Sequence, residues 1–172
     1  MSSQETRPVS PGQTVTIQIT GYGHSGEGVG RVADFTVFVT GALRGEEVEA
    51  RVTEVRRNFA RAETVRILKP SPERVEPACP IYDRCGGCQL LHLAYPAQLE
   101  LKRQRVIDAL TRLGGLEGVP VHPTLGMADP WRYRNKVQYP VALSEGKIVL
   151  GCYEHRSHQV VPTEDCLIGQ EV

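Results

Sequence analysis

Residues 14–20 read Thr-Val-Thr-Ile-Gln-Ile-Thr, and this stretch decides the fold of the first third of the chain. Apolar and polar side chains alternate along it, and a period of two is typical of a β-strand that buries one face. Further short apolar stretches follow at 29–33, 35–39, 48–55 and 60–68. Because short strands separated by glycine-rich turns are typical of small closed sheets, we predict an all-β, OB-like barrel over residues 6–68.

A glycine-rich stretch, Gly21-Tyr22-Gly23-His24-Ser25-Gly26, follows the first predicted strand and matches the pattern of dinucleotide-binding loops. That pattern binds pyrophosphate where a helix begins directly after it. Two more glycines and β-branched residues follow here, at 28–32, and such residues do not begin a helix well. We therefore interpret the glycines as a tight turn of the barrel and not as a nucleotide site.

The predicted connection between the last two strands carries cations and an aromatic ring, in Arg56-Arg57-Asn58-Phe59-Ala60-Arg61. Arginine binds phosphate through paired hydrogen bonds, and phenylalanine can stack on a base. Loops of OB-type barrels bind single strands in this way, so we predict RNA contacts for Arg56, Arg57, Phe59 and Arg61. A solvated hairpin is the alternative.

The chain has 20 basic and 20 acidic residues, but local charge governs contact with phosphate, so zero net charge does not exclude RNA.

Three of the five cysteines lie close together, in Cys79-Pro80-Ile81-Tyr82-Asp83-Arg84-Cys85-Gly86-Gly87-Cys88. In an intracellular chain such clustering indicates metal or redox chemistry more than disulfides. Structural zinc sites and cubane clusters take four protein ligands, so a fourth cysteine is needed. Cys152 and Cys166 are the candidates. Cys166 lies in a predicted loop, whereas Cys152 lies in a predicted strand, where a cysteine is usually a small apolar residue. We expect a linker and metal motif over 69–94, and the spacing alone leaves zinc and iron–sulfur open.

The remaining residues, 95–172, are interpreted as the beginning of an α+β domain that the chain leaves unfinished. Residues 95–113 are predicted to form a helix that ends at two glycines. Its apolar face is expected to contain Leu99, Val106, Leu110 and Leu113. Alternating residues then predict strands at 137–143, 148–153 and 159–161.

A second mixture of cations and aromatic rings, Trp131-Arg132-Tyr133-Arg134-Asn135-Lys136, precedes the first of these strands. Its composition suits phosphate contact and base stacking. We therefore predict RNA contacts for Arg132, Arg134, Asn135 and Lys136. The alternative is that the aromatic rings belong to the core and the cations only flank them.

Several function classes are disfavoured by the sequence. No apolar run approaches the roughly 18–20 residues of a membrane span. Residues 1–11 lack the apolar stretch of a secretory signal, so we expect a cytoplasmic protein, and one that is monomeric. No Ser–His–Asp or paired-carboxylate arrangement stands out, so no catalytic residue is predicted.

Taken in order, these motifs resemble one family: the S-adenosylmethionine-dependent RNA (uracil-5) methyltransferases that carry a TRAM domain and a [4Fe-4S] cluster. The TRAM-like part is 14–68. The cluster signature is the spacing of Cys79, Cys85 and Cys88, within the sequence Cys-Gly-Gly-Cys-Gln-Leu-Leu-His-Leu that begins at Cys85. The segment Tyr-Arg-Asn-Lys at 133–136 and the position of Cys166 also match the family pattern.

The resemblance implies that the TRAM domain and a central domain grip RNA, ribosomal more than transfer RNA. It implies that Cys79, Cys85, Cys88 and Cys166 hold a structural [4Fe-4S] cluster, with zinc as the alternative metal. It also implies a C-terminal Rossmann-like domain that holds the methyl donor and a catalytic cysteine that attacks C6 of uracil. No segment of this chain resembles that domain, so we expect an RNA-recognition part that is not catalytic alone.

Two other classes remain as alternatives. One is a free-standing RNA-binding module with an iron–sulfur cluster or zinc and no catalysis. The other is a redox protein that uses Cys85 and Cys88, which would show a midpoint potential in a physiological range and a partner reductase.

Overall fold

The computed structural model describes residues 7–144, 146–155 and 157–170. The chain divides into two compact units, Met1–Arg74 and Val75–Val172. Residue 6, where the predicted barrel domain begins, lies outside the described residues. Residues 69–74, which we expected to open a linker, belong to the barrel unit, and a buried ion pair described below is the reason.

Five strands form a closed barrel in the first unit: β1 Thr14–Tyr22, β2 Gly28–Val32, β3 Phe35–Thr40, β4 Glu47–Val55 and β5 Phe59–Lys69. Their order around the barrel is β1-β2-β3-β5-β4, and β4 closes on β1. Neighbouring strands are antiparallel except β3 and β5, which run parallel. The prediction of a small OB-like barrel is confirmed.

Alternation along each strand places one set of side chains inside the barrel. Ile17 and Ile19 of β1 are each 1% exposed, whereas Thr16 and Gln18, which precede them, face solvent. Complete burial of one such aliphatic side chain stabilises a fold by about 1.5–3 kcal/mol. The same interior contains Val37, Val39, Ala42, Val48, Ala50, Val52, Ala60 and Ala62.

The glycine-rich stretch forms the turn between β1 and β2. Gly26 has a φ of +92°, a conformation that side chains with a Cβ disfavour. At Gly28, where β2 begins, a Cβ would lie 2.9 Å from the carbonyl oxygen of Ala42, so only glycine permits this approach. A strand follows the turn, as predicted, and the helix that a dinucleotide loop requires does not form here.

A buried ion pair fixes the end of the barrel unit. Glu46 is fully buried, and its carboxylate accepts hydrogen bonds from Arg74 Nε at 2.7 Å and Arg74 Nη2 at 2.8 Å. The backbone N–H groups of Leu43 and Ser71 donate to the same carboxylate, at 2.8 and 3.1 Å. Burial acts to raise the pKa of Glu46, but the Arg74 and backbone hydrogen bonds outweigh it and hold the pKa below its usual value.

The second unit contains one helix and a three-stranded sheet. Helix α1 spans Tyr95–Asp108 and continues as a π-helical turn, Ala109–Leu113, so the predicted extent of the helix is confirmed. The sheet is antiparallel in the order β6-β7-β8, with β6 Val141–Ser144, β7 Lys147–Tyr153 and β8 Val160–Pro162.

Two predictions about this unit are wrong in detail. The predicted strand at 137–143 begins only at Val141, because Pro140 has no N–H for a strand ladder and residues 137–140 line a cavity instead. The buried residue of α1 is Leu101, whereas Val106 and Leu113 of the expected apolar face are 49% and 88% exposed. Leu99 of the expected face is partly buried, and Thr124 Oγ1 donates to its carbonyl at 2.9 Å.

The β6–β7 hairpin carries apolar side chains on an exposed face. Cross-strand pairing joins Val141 to Leu150 and Leu143 to Ile148. These four side chains are 54–77% exposed. None of the described helices is long and apolar enough to cross a membrane.

Candidate metal centre and nucleic-acid interface

All five cysteines line one cavity of about 840 Å³ in the second unit. Three segments that are distant in sequence form its walls: the Cys79–Cys88 loop, residues 134–140, and the end of the sheet with the loop that follows it. None of the cysteines is in a disulfide. The structure therefore brings together Cys79, Cys85, Cys88 and Cys166, which the sequence predicted as a ligand set, and adds Cys152 to them.

Backbone contacts clamp the Cys85 loop to the end of β7. Gly86 N–H donates to the Tyr153 carbonyl at 2.9 Å, and His155 N–H donates to the Arg84 carbonyl at 3.3 Å. A Cβ on Gly86 would lie 3.1 Å from the Tyr153 carbonyl oxygen, so glycine allows this close pairing. Gly87 N–H donates to the Cys85 sulfur at 3.4 Å.

Arg132 holds the Cys166 loop in place. Its guanidinium donates to both carboxylate oxygens of Asp165, at 2.5 and 2.7 Å, and to the Cys166 carbonyl at 3.1 Å. The same hydrogen bonds lower the pKa of the Asp165 carboxyl. Arg132 adopts a φ of +54°, which is uncommon for a residue with a side chain and marks a backbone position fixed by its surroundings. The guanidinium predicted to contact RNA is thus engaged inside the unit.

Cys152 was interpreted from the sequence as a small apolar strand residue, and its position differs from that interpretation. It lies opposite Val161 in the β7–β8 pair, and its side chain lines the cavity with the other thiols. Burial raises the pKa of the Cys152 thiol to about 12, and its interaction with the Cys85 thiol adds to the effect. No local signal in the sequence marks it, because the pairing with the Cys85 loop is long-range.

Cationic residues face the same cavity. Arg134 and Lys136 line it, two residues apart, and Asn135 between them is exposed. Burial raises the pKa of the Cys88 thiol to about 11; the Cys85 and Cys166 thiols add to this shift, and the Arg134 guanidinium opposes it. Three of the four residues predicted to contact RNA in this segment therefore lie at the cysteine cavity or support its loop.

Soft thiols are ligands for zinc and for iron–sulfur clusters. Four thiolates on one zinc ion at about 2.3 Å would stand about 3.8 Å from one another. Among the residues that the structure describes, no group of three or more His, Cys, Asp or Glu side chains is arranged to hold a metal ion. The donor set suits a metal group in its chemistry, while its present spacing is not that of a single-ion site.

The predicted RNA-binding connection is the β4–β5 hairpin of the barrel. Arg56 N–H donates to the Phe59 carbonyl at 2.8 Å across the turn. Arg56 and Arg57 are exposed, and Arg56 forms an ion pair with Glu54. Phe59 and Arg61 begin β5 and are partly buried.

An aromatic residue that sequence reasoning missed completes this surface. Phe38 packs edge-on against Phe59, with ring centroids 5.5 Å apart. The Arg61 guanidinium lies 5.6 Å from the Phe59 ring and 6.0 Å from the Phe38 ring. Parallel pairing of β3 with β5 places Phe38 opposite Arg61, and that crossover cannot be read from local periodicity. We call Phe38, Arg57, Phe59 and Arg61 the aromatic–arginine surface.

Acidic residues temper the charge of this surface. Arg61 Nη1 lies 3.3 Å from Glu27, and Arg61 Nε lies 3.6 Å from Glu54. This surface thus contains three arginines, at 56, 57 and 61, and two carboxylates, which gives it a local charge of about +1. Arg57 forms no ion pair within the described part of the chain.

Residues 8–65 match the family model of the TRAM domain, and they cover the barrel. Over 164 residues the chain is 49% identical to a protein of Clostridium tetani named "Uncharacterized RNA methyltransferase". It is 42% identical over 171 residues to a Bacillus cereus protein of the same name. These alignments cover 95% and 99% of this chain but 35% and 37% of the relatives.

A solved structure is also similar: the crystal structure of Pyrococcus abyssi tRNA (uracil-54, C5)-methyltransferase in complex with S-adenosyl-L-homocysteine. The TM-score is 0.55 and the sequence identity 25%, over 91% of this chain and 33% of that chain. The chain thus spans about a third of the length of the relatives it matches. Residues 8–65 are thus similar to the TRAM domain, and the relatives that match nearly the whole chain are named RNA methyltransferases.

Proposed function

We propose that this chain is the RNA-recognition and metal-binding part of an RNA (uracil-5) methyltransferase. The observation that carries the proposal is the convergence of Cys79, Cys85, Cys88 and Cys166 on one cavity, in a chain that also contains a TRAM domain. The names of the relatives and the similarity to a uracil-5 enzyme support the reaction class.

RNA binding by the barrel is assigned to the aromatic–arginine surface. Single-stranded RNA is recognised by stacking of unpaired bases on aromatic rings and by cations that follow the phosphates. Phe59 offers a partly buried ring beside Arg61, and Arg57 is exposed next to them. Ribosomal RNA is the substrate that we propose, on the resemblance of the cysteine motif to cluster-bearing methyltransferases, although the similar Pyrococcus enzyme is named for transfer RNA.

The metal group we propose is a [4Fe-4S] cluster held by Cys79, Cys85, Cys88 and Cys166, with zinc as the alternative. A cubane cluster takes cysteine thiolates as its protein ligands, and these four thiols line one cavity. Arg134 and Lys136 would balance the negative charge of four thiolates. When bound, the cluster would cross-link the 79–88 loop to the loop that carries Cys166.

Methyl transfer itself is assigned elsewhere. The relatives are about three times as long as this chain, and the similar Pyrococcus enzyme is in complex with S-adenosyl-L-homocysteine. We propose that the methyl donor and the catalytic cysteine belong to a part of such a full-length protein that this chain does not include. A cytoplasmic location fits five thiols without a disulfide, because disulfides are rare in that compartment. A monomeric state is part of the same proposal.

RNA affinity of single-residue variants tests the proposal. Phe59→Leu keeps an apolar side chain but removes the stacking ring, so it should weaken binding of single-stranded, uridine-containing RNA about tenfold. Arg57→Ala should reduce the slope of log affinity against log salt by about one.

Arg66→Ala is the matched control, because it removes one exposed arginine from the same strand, where Arg66 pairs with Glu49. Fluorescence anisotropy with labelled RNA would measure all three variants, and circular dichroism would verify the barrel. If Phe59→Leu binds as tightly as Arg66→Ala, the aromatic–arginine surface does not bind RNA.

A further inference from the structure

Cys152 has no role in the proposed cluster, yet it lies in the same cavity as the four proposed ligands. It belongs to β7, so its position is set by the sheet and not by a variable loop. Its neighbours Gly151 and Tyr153 pair with Pro162 and Val160 of β8, which fixes the strand on both sides of it. The thiol is therefore held at a defined place on the cavity wall.

The pairing between β7 and the cysteine loop directs this thiol toward Cys85. Cys85 forms an isolated antiparallel bridge with Glu154, two residues after Cys152. Directly paired residues share a face of the sheet, and so do residues two apart on a strand, so the Cys152 side chain projects to the same face as those of Glu154 and Cys85. The side chains of Cys85, Cys88 and Cys166 line the same cavity as that of Cys152.

These neighbours define a second set of four thiols. The first set is the proposed ligand set, in which Cys79 joins Cys85, Cys88 and Cys166. In the second set, Cys152 replaces Cys79 and the other three cysteines stay the same. Cys79 lies six residues before Cys85, and its backbone is tied to the loop through the hydrogen bond from Tyr82 N–H to its carbonyl, at 3.1 Å. Cys79 and Cys152 both line the cavity that contains Cys88.

We propose that Cys152 is a fifth thiolate donor of the metal site and can replace Cys79 as the fourth ligand. The proposal rests on the proposed metal-binding function. On binding, the Cys152 thiol loses its proton to solvent, as any thiol ligand must. The site then has one donor more than a four-ligand metal group requires, and loss of Cys79 does not empty it.

The test compares metal content in variants of the whole chain, purified without oxygen and reconstituted with ferrous iron and sulfide. Cys79→Ser and Cys152→Ser should each keep most of the iron of the unmodified chain. Cys79→Ser with Cys152→Ser should lower the iron content about tenfold, because neither fourth ligand remains. A second double variant, Cys79→Ser with Cys152→Ala, should lose the same amount of iron if the missing thiol, and not the side chain that replaces it, causes the loss. Circular dichroism verifies that each variant is folded.

Three results would be decisive against the proposal. If Cys79→Ser alone loses the iron, Cys152 cannot replace it, while the four-cysteine cluster stands. If the double variants keep the iron, neither residue is a needed fourth ligand. If the unmodified chain takes up no metal while it remains folded, the proposed metal function fails and the role of Cys152 fails with it.

Discussion

Glu46 joins the segment after β5 to the barrel, because its buried carboxylate accepts hydrogen bonds from Ser71 and Arg74. Replacing Glu46 by Gln should destabilise the barrel unit by about 3 kcal/mol, because Arg74 would keep a charge without its anionic partner. Denaturant unfolding followed by circular dichroism would measure the effect. Glu49→Gln is the control, since Glu49 pairs with Arg66 at the surface and its loss should cost little.

The lowered pKa of Glu46 also determines how the stability of the barrel should depend on pH. The pKa of Glu46 is lower in the folded chain than its usual value of 4.5, so the unfolded chain binds the proton more tightly. Its stabilising contribution is complete above pH 4.5 and is lost as pH falls through the lower folded pKa. Glu46→Gln should flatten this acid dependence, and an unchanged profile would show that other carboxylates cause it.

Single residues also show where prediction from the sequence stops. The burial of Ile17 and Ile19 follows from local alternation, and the sequence was sufficient for it. The burial of Glu46 depends on a partner 28 residues away, and no periodicity marks that pair. Arg132 looked like a cation for RNA because composition does not reveal that Asp165 lies beside it.

At the scale of elements, the pairing of the cysteine loop with β7 decides how the thiols meet. Gly86→Ala should disturb this pairing, because the added Cβ would lie 3.1 Å from the Tyr153 carbonyl oxygen and the His155 Cα. We expect a destabilisation of the second unit of about 1–3 kcal/mol and weaker metal retention. Thermal unfolding and iron content would measure the two effects.

Gly87→Ala is the matched control for that change. A Cβ on Gly87 would meet only the Cys85 sulfur, at 3.4 Å, which is ordinary van der Waals contact. If the Gly87 variant loses as much stability as the Gly86 variant, the effect of Gly86→Ala does not come from its close approach to β7.

Elements were predicted well where local pattern governs them and poorly where long-range contacts do. The barrel strands and the extent of the helix follow from alternation, turns and glycines. The start of β6 at Val141 and the cavity position of Cys152 were missed, because both depend on segments that are far apart in sequence. Phe38 joins Phe59 and Arg61 through the parallel β3–β5 pairing, which is a feature of topology.

At the scale of the whole chain, the two units should respond differently to metal removal. Metal sites of this kind couple binding to folding, and the thiols belong to the second unit alone. An iron or zinc chelator should therefore lower hydrogen-exchange protection around the 79–88 loop, β7 and β8. The five barrel strands should keep their protection, because their interior is an apolar core. Equal loss in both units would contradict this division.

The order of motifs along the chain carried the functional prediction further than any single motif did. A barrel, a cysteine cluster and the Tyr-Arg-Asn-Lys segment together pointed to RNA methyltransferases, and relatives with that name match over nearly all of this chain. Cofactor and RNA type depend on ligand spacing in the bound state and on contacts with a substrate, which the amino-acid sequence does not encode as a pattern.

Metal analysis and an absorbance spectrum of the anaerobically purified chain test directly whether its cysteines hold a [4Fe-4S] cluster. We expect about four irons with matching sulfide per chain, a brown colour and broad absorption at about 400 nm. One zinc per chain without colour would contradict the cluster and favour an RNA-binding zinc module. A folded chain without metal would contradict the metal site altogether.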